Sequence, residues 1–329
     1  MKHTILLGAL LALAACNTEQ VEVSSAPAFN IDAQRITVSG VSSGAYMAGQ
    51  LHVAHSALFS GAALLAGGPY RCAAGNIQKA LGACISGGDI DEPGLLEYAR
   101  TAADAGQIDS LENLAHDPVW LFHAANDAVV SAEMTRAAAS FYSHFTAADS
   151  IVVVSDVAAV HGMPTLETGV ACDTMAAPFL NACGYDAAGE LLRALYGELQ
   201  GRVAASGQLV PVTLADAASA SMLEEALLYV PTACSTGASC GLHVALHGCN
   251  QSVEKVGDAF ARGAGYNEWA ESNNLLVLYP QVASSKLMPM NPLGCWDWWG
   301  YTSEDYANQN GAQVRAIKSL LDKLAGRTL

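Results

Sequence analysis

The stretch Arg35-Ile36-Thr37-Val38-Ser39-Gly40-Val41-Ser42-Ser43-Gly44-Ala45-Tyr46-Met47 sets a G-x-S-x-G pentapeptide, Gly40 to Gly44, between an apolar β-type run and a helical run. Arg35 to Ser39 reads as a strand, and Ala45 to Leu58 reads as a helix with Met47, Leu51, Ala54 and Leu58 on one face. A turn leading straight from strand to helix is tight and strained. Small residues at Gly40 and Gly44 let the two elements close around a serine whose hydroxyl projects outward. In that geometry Ser42 is the nucleophile. The competing reading is a Gly/Ser turn without chemistry, and the flanking strand and helix weigh against it.

A serine hydroxyl attacks only when a base takes its proton and an acid holds that base in the right tautomer, so a His and a carboxylate are expected at other strand ends. Pro118 to His123 has a buried-strand pattern, and Ala124-Ala125-Asn126-Asp127-Ala128 follows as a loop, which makes Asp127 the candidate acid. A β-branched strand at Ile151 to Val154 then leads to Val160-His161-Gly162-Met163-Pro164, where His161 sits in a Gly- and Pro-bounded loop as the candidate base. Asp156 is the rival acid. Asp127 is preferred because a separate strand and loop must deliver the acid to the far side of the imidazole. His52, His55, His116 and His144 read as surface or boundary residues, and His123 as a residue satisfying local backbone groups. The order Ser, Asp, His is that of the α/β-hydrolases.

Downstream, Gly241-Leu242-His243-Val244-Ala245-Leu246-His247-Gly248-Cys249 reads as a central strand entering a tight His-Gly loop. In an ordinary α/β-hydrolase such a strand precedes the nucleophile and its loop supplies an oxyanion-hole N–H. Here it follows the histidine. The chain therefore reads as an α/β protein, a single-domain α/β-hydrolase with circularly permuted strand order. The expected oxyanion donors are the backbone N–H groups of Ser43 and Cys249, each worth about 3 kcal/mol in the transition state. Further helices are expected over 187–206, 253–273 and 308–324, with extended pieces at 210–214, 227–230 and 275–279.

Taken together, Ser39 to Gln50, Ala66-Gly67-Gly68-Pro69-Tyr70 with Cys72, Asn126-Asp127, His161-Gly162-Met163-Pro164-Thr165, Leu246-His247-Gly248-Cys249 and Gly294-Cys295-Trp296-Asp297-Trp298-Trp299-Gly300-Tyr301 resemble the extracellular-type poly(3-hydroxybutyrate) depolymerases. The resemblance is to the subgroup whose lipase box lies near the N-terminus. It implies Ser42 as nucleophile, Asp127 as acid, His161 as base and Cys249 as an oxyanion donor, and it implies a polyester or oligoester substrate cleaved through an acyl-enzyme. Ala124 stands after His123 where the family pattern leads one to expect Gly. Trp298 and Trp299, in an apolar segment with Met288, Met290, Trp296 and Tyr301, are the candidate substrate-binding residues. Two other functions stay open: an exported esterase of the feruloyl or acetyl-xylan type, and a non-catalytic surface lipoprotein that binds a polymer. Weaker activity on crystalline than on amorphous polymer is expected, because no polymer-binding domain is seen after the catalytic region.

Residues 1–16 read as a lipoprotein-type signal peptide: a short positive start, an apolar run too short to span a bilayer, and a lipobox Leu13-Ala14-Ala15-Cys16 that makes Cys16 the lipidation site. Ordinary signal-peptide cleavage nearby is the alternative. Residues 17–30 read as a tether and 31–329 as the catalytic domain. The protein is then exported, either as a cell-envelope lipoprotein touching the membrane only through Cys16 or as an extracellular enzyme.

Cysteine usage agrees with export. Apart from Cys16 there are eight: Cys72, Cys84, Cys172, Cys183, Cys234, Cys240, Cys249 and Cys295. They allow about 105 connectivities, and local spacing favours 72 with 84, 172 with 183 and 234 with 240, leaving 249 with 295. The last would tie the oxyanion loop to the Trp-rich segment and contribute about 4 kcal/mol by chain entropy. No pair has zinc-ligand spacing, and the chemistry calls for no metal and no cofactor. A net charge of −16 argues against nucleic acid as a partner, since a phosphate backbone would be repelled.

Overall fold

Parallel strands covered on both faces read as continuous apolar runs, and four segments here are buried at every residue: Ala62–Leu65, Val119–Phe122, Cys240–Leu246 and Leu275–Tyr279. The computed structural model describes residues 28–329. The expected signal peptide, Cys16 and the tether up to residue 27 lie outside the described residues. In chain order the strands are β1 (Ile31–Val41), β2 (Ala62–Leu65), β3 (Val119–Phe122), β4 (Ile151–Val154), β5 (Met163–Thr165), β6 (Val170–Ala171), β7 (Leu180–Ala182), β8 (Gln208–Thr213), β9 (Glu225–Val230), β10 (Cys240–Leu246) and β11 (Leu275–Tyr279).

Eight of them form one sheet in the order β4-β3-β2-β1-β10-β11-β9-β8. β1 lies at the centre, parallel to β2 on one side and to β10 on the other. Only β9 departs from the parallel sense, running antiparallel to both β11 and β8. Counting from β8 through β11 and then β1 makes the nucleophile strand fifth and β10 third. The loop after the third strand is the usual source of the second oxyanion N–H. The permuted α/β-hydrolase order is thus present in space.

Alternate strand residues feed opposite layers of core. Val38, Leu64, Leu121, Val244 and Leu278 face one cluster, and Val41, Leu65, Trp120, Ala245 and Val277 face the other. Between β1 and β10 a polar knot interrupts this pattern. His243 lies between Thr37 Oγ1 and Ser39 Oγ, each 2.7 Å from a ring nitrogen, and Ser39 Oγ also meets Tyr266 Oη at 2.8 Å.

The helix after the turn, α1, spans Ser43–Ala54, and every one of its residues is buried. A single apolar face was expected. The far face is covered by the C-terminal segment, where Gln50 Nε2 donates to Asp297 O at 2.9 Å and Gln309 Nε2 to Ala54 O at 2.9 Å. His52 is accordingly not a surface residue: it is fully buried between Tyr142 Oη and Asp117 Oδ2, each 3.1 Å away. The helix expected over 253–273 is three short ones, Val253–Val256, Ala259–Gly263 and Tyr266–Asn273, broken at Gly257 and Gly265, both of positive φ. The helix expected over 187–206 stops at Tyr196, and Gly197 takes φ 77° there. Phe29, within the expected tether, donates its N–H to Leu324 O in the C-terminal helix Ala312–Ala325.

Candidate active site

Strand β1 ends at Val41 and α1 begins at Ser43, so Ser42 alone makes the corner, at φ 57° and ψ −122°. A non-glycine residue in that region stores about 1–3 kcal/mol of backbone strain. Two close approaches hold it there. A Cβ on Gly40 would lie 2.1 Å from Gly44 O, and one on Gly44 would lie 2.5 Å from the carbonyl oxygens of both Leu246 and His247. The two glycines of the pentapeptide therefore have different jobs: Gly40 lets the turn close, and Gly44 lets the loop after β10 lie directly on the start of α1.

That loop brings Gly248 against the serine, since a Cβ on Gly248 would be 3.4 Å from Ser42 Cβ. Gly248 N–H donates to Gln251 Oε1 at 2.7 Å, and Gln251 Nε2 reaches Pro178 O and Phe179 O at 3.0 and 3.2 Å. Phe179 O also accepts the N–H of Met163, two residues beyond His161, at 2.9 Å. Turn, loop and histidine segment are thereby one cluster at the carboxyl ends of the parallel strands. Gln251 is the buried link between them, and its role was not read from sequence. Its position three residues after a glycine in a tight loop, where a side-chain amide can return to the loop's own N–H, is the signal that could have found it.

His161 Nδ1 lies 2.7 Å from Asp127 Oδ2. The Asp127 side chain is fully covered, and that of His161 is 13% exposed. Asp127 Oδ1 accepts the N–H groups of Val129 and Val130 at 2.8 and 3.0 Å. Burial pushes the Asp127 carboxyl up, but the hydrogen bond and charge of His161 and the two backbone donors outweigh it, leaving the group below its ordinary value. The acid loop is clipped to the histidine segment by Ala125 N–H to Val157 O at 2.8 Å and Asn126 N–H to Ala159 O at 3.0 Å. Ala124, at the family's Gly position, is accommodated: its carbonyl accepts the N–H of Asp127 at 3.0 Å. Asp156 is exposed on the strand-end loop. His123 Nε2 bonds to Val130 O at 3.0 Å, as a local backbone partner.

Among the described residues, neither Ser43 N–H nor Cys249 N–H donates to a protein acceptor, whereas those of Ser42, Gly248 and Asn250 all do. The first is an orphan donor of a helix start. The second belongs to the loop closed by the Cys249–Cys295 disulfide. Cys72–Cys84, Cys172–Cys183 and Cys234–Cys240 form the other three bridges, the pairing that local spacing favours. Cys172 O accepts the N–H of Val160, so the second bridge braces the His161 segment together with the small sheet β5-β7-β6, which was not anticipated.

The Trp-rich segment follows Cys295. Trp296 is fully buried, and its indole N–H donates to His247 O at 2.9 Å. Trp298 is also buried, stacked on Tyr46 with ring centroids 4.2 Å apart, and Trp299 is half-buried against it. The hairpin closed by Ser285 and Asn291 carries the exposed apolar groups Leu287, Met288 and Met290, with Leu293 just beyond it. Asn250 N–H donates to Leu293 O at 2.7 Å, tying that hairpin to the loop after β10. No group of three or more His, Cys, Asp or Glu among the described residues is arranged to hold a metal ion.

Burial alone holds the His243 imidazole down to about 3. It holds His247 down to about 4, against the opposing hydrogen bond to the Gly248 carbonyl. Both would titrate near 6.5 in the unfolded chain. Above that pH neither state binds the protons. Between pH 6.5 and about 4 only the unfolded chain does, so stability present at neutral pH is lost on acidification, by about 1.4 kcal/mol per pH unit for each histidine. The urea midpoint is expected to fall steeply between pH 6.5 and pH 4.5. A midpoint unchanged across that interval would contradict the buried neutral state of both rings.

No family model matches the chain. It is 40% identical over 326 residues to a poly(3-hydroxybutyrate) depolymerase of Delftia acidovorans, with 96% of this chain and 65% of that relative covered. It is 35% identical over 326 residues to a polyhydroxybutyrate depolymerase of Talaromyces funiculosus, with 93% of this chain and 94% of the relative covered. The chain thus spans nearly all of one relative and about two thirds of the other. The crystal structure of the PHB depolymerase from Penicillium funiculosum superposes with a TM-score of 0.87 at 31% identity, covering 92% of this chain and 99% of that one. A PHB depolymerase carrying a serine-to-alanine substitution, complexed with an R3HB trimer, superposes equally well. With that identity running through most of both the Talaromyces and Penicillium chains, this chain belongs to the poly(3-hydroxybutyrate) depolymerase family.

Proposed function

We propose that the protein is a serine esterase that hydrolyses poly(3-hydroxybutyrate) or its oligomers to 3-hydroxybutyrate products. The observation that carries this reading is the Asp127-held imidazole of His161, on a segment tied through Gln251 to the loop that packs on Ser42, together with the backbone N–H groups of Ser43 and Cys249 that meet no protein acceptor. Asp127 occupies Nδ1 of His161, so Nε2 is the nitrogen that takes the Ser42 proton as the oxygen attacks the ester carbonyl. The tetrahedral oxyanion is held by the N–H groups of Ser43 and Cys249. Collapse expels the alcohol end of the cleaved ester, which takes its proton from His161. Water then attacks the acyl-enzyme by the same route in reverse, releasing the acid and regenerating Ser42.

A polyester made of small aliphatic units needs apolar surface more than charge. Half-buried Trp299 and the exposed Met288 and Met290, tied to the oxyanion loop, supply it. Trp298 supports this surface from beneath by its stack on Tyr46. The similarity of this chain to a depolymerase complexed with an R3HB trimer supports the same substrate class. Both curated relatives carry depolymerase names, and neither the feruloyl or acetyl-xylan esterase reading nor a purely binding role draws support from them.

The test is release of 3-hydroxybutyrate and its oligomers from amorphous poly(3-hydroxybutyrate), beside hydrolysis of a short acyl ester. Soluble product from the polymer is expected, faster than from crystalline polymer. Ester hydrolysis without release from either solid would move the substrate to another ester class.

Four disulfides form and persist in an oxidising compartment, so the protein is an exported one. The lipobox supports attachment to a membrane leaflet through lipid on Cys16. Wild type is expected to partition into the detergent phase of Triton X-114 and Cys16→Ala into the aqueous phase. Equal partitioning of the two would leave a freely secreted enzyme.

A further inference from the structure

We propose that His247 is a positioning residue of the oxyanion hole, its Nδ1–H holding the peptide unit between Gly248 and Cys249 in the orientation that aims the Cys249 N–H at the developing oxyanion. The inference rests on the reading of Cys249 N–H as an oxyanion donor. His247 is 1% exposed and has a partner at each nitrogen: Nδ1 lies 2.7 Å from Gly248 O, and Val282 N–H points at Nε2 from 3.3 Å. A carbonyl oxygen only accepts and a backbone N–H only donates, so the ring is neutral with its single proton on Nδ1. Burial holds the ring neutral far below physiological pH, which keeps this tautomer in place wherever the enzyme works.

Gly248 C=O and Cys249 N–H are the two ends of one planar peptide. Fixing the carbonyl therefore fixes where the N–H points, and a hydrogen bond to the carbonyl also polarises the N–H. The carbonyl has one other donor, Gln251 N–H at 3.2 Å, and His247 Nδ1 supplies the shorter of the two bonds on it. Gln251 Oε1 grips the preceding peptide through Gly248 N–H, Leu293 O grips the following one through Asn250 N–H, and the disulfide acts through the Cys249 side chain. The His247 ring itself is seated against Trp296 and Phe260, with centroids 5.3 and 6.5 Å away.

Two isosteric amides separate positioning from mere packing. His247→Asn places an amide N–H where Nδ1 stands but cannot reach Val282. His247→Gln reaches the position of Nε2, accepting from Val282, but offers nothing to Gly248 O. Positioning predicts that Gln lowers kcat on a short acyl ester about 10²-fold, as loss of one oxyanion donor does, with KM little changed. It also predicts that Gln weakens inhibition by an alkylboronate, whose tetrahedral adduct on Ser42 places an oxygen in the hole, by a similar factor. Asn should stay within about tenfold of wild type on both measures. The opposite ranking, or equal losses with unchanged boronate affinity, would overturn the proposal. Should either variant fail to fold, ¹⁵N chemical shifts of the wild-type imidazole decide the tautomer: a proton on Nε2 in place of Nδ1 overturns it as well. Should Ser42→Ala retain ester hydrolysis, the underlying assignment of the site fails instead.

Discussion

Ser42→Ala is expected to lower kcat on both amorphous polymer and short esters by about 10⁶-fold, with the folded state retained. No neighbouring hydroxyl can substitute. Ser43 Oγ faces the N–H of Trp296, and Ser39 Oγ is bound between His243 and Tyr266 beneath the sheet. Alanine keeps a Cβ at the corner, so the packing of Gly248 against it survives and the strained φ is no worse than before. The melting temperature should therefore move by only a few degrees while product release disappears. Activity above about 1% of wild type in a clean preparation would remove Ser42 from the nucleophile's role, since an oxyanion hole and binding alone leave far less.

Asp127→Asn is expected to cost about 10⁴-fold in kcat at neutral pH, more than loss of a charge alone would. The reason is directional. Val129 and Val130 N–H groups both point at Oδ1, so an asparagine keeps its oxygen there and turns its NH₂ toward His161 Nδ1. The imidazole must then accept at Nδ1 and carry its proton on Nε2, where it can no longer take one from Ser42. Steady-state kinetics of the variant on a short ester, with unfolding measured in parallel, checks this. If Asp127→Asn stays within tenfold of wild type and Asp156→Asn does not, the acid is misassigned.

Much of the fold was readable because it is written locally. The edges of β4 and β11 and the permuted succession of motifs follow from short apolar runs and from residues that break them. The bridges whose partners stand six to twelve positions apart follow from spacing, because chain entropy favours near neighbours. Elements misjudged from sequence were those whose surroundings come from far away. His52 is buried between Asp117 and Tyr142, 65 and 90 positions later, so its burial has no local signature. The helix expected over 253–273 has the composition of one continuous element, and Gly257 and Gly265 break it through backbone conformations that composition does not reveal.

The serine corner is legible in the chain alone: Gly40 and Gly44 are needed where the strand passes into the helix through one strained residue, and that requirement is met within five positions. So is the chemical type of the site, since a serine, a later acid and a later histidine in strand-end loops carry acyl transfer on any scaffold that gathers them. Which carboxylate meets His161, which backbone N–H groups find no protein acceptor, and what the side chains of His247 and Gln251 hold come from the folded chain. Those facts depend on the register of β1 against β10 and on loops packed across 34 to 73 residues of chain. A hydrogen bond's direction is set by atoms brought together there, and partners such as Asp127 with His161, or Val282 with His247, are far apart in the sequence.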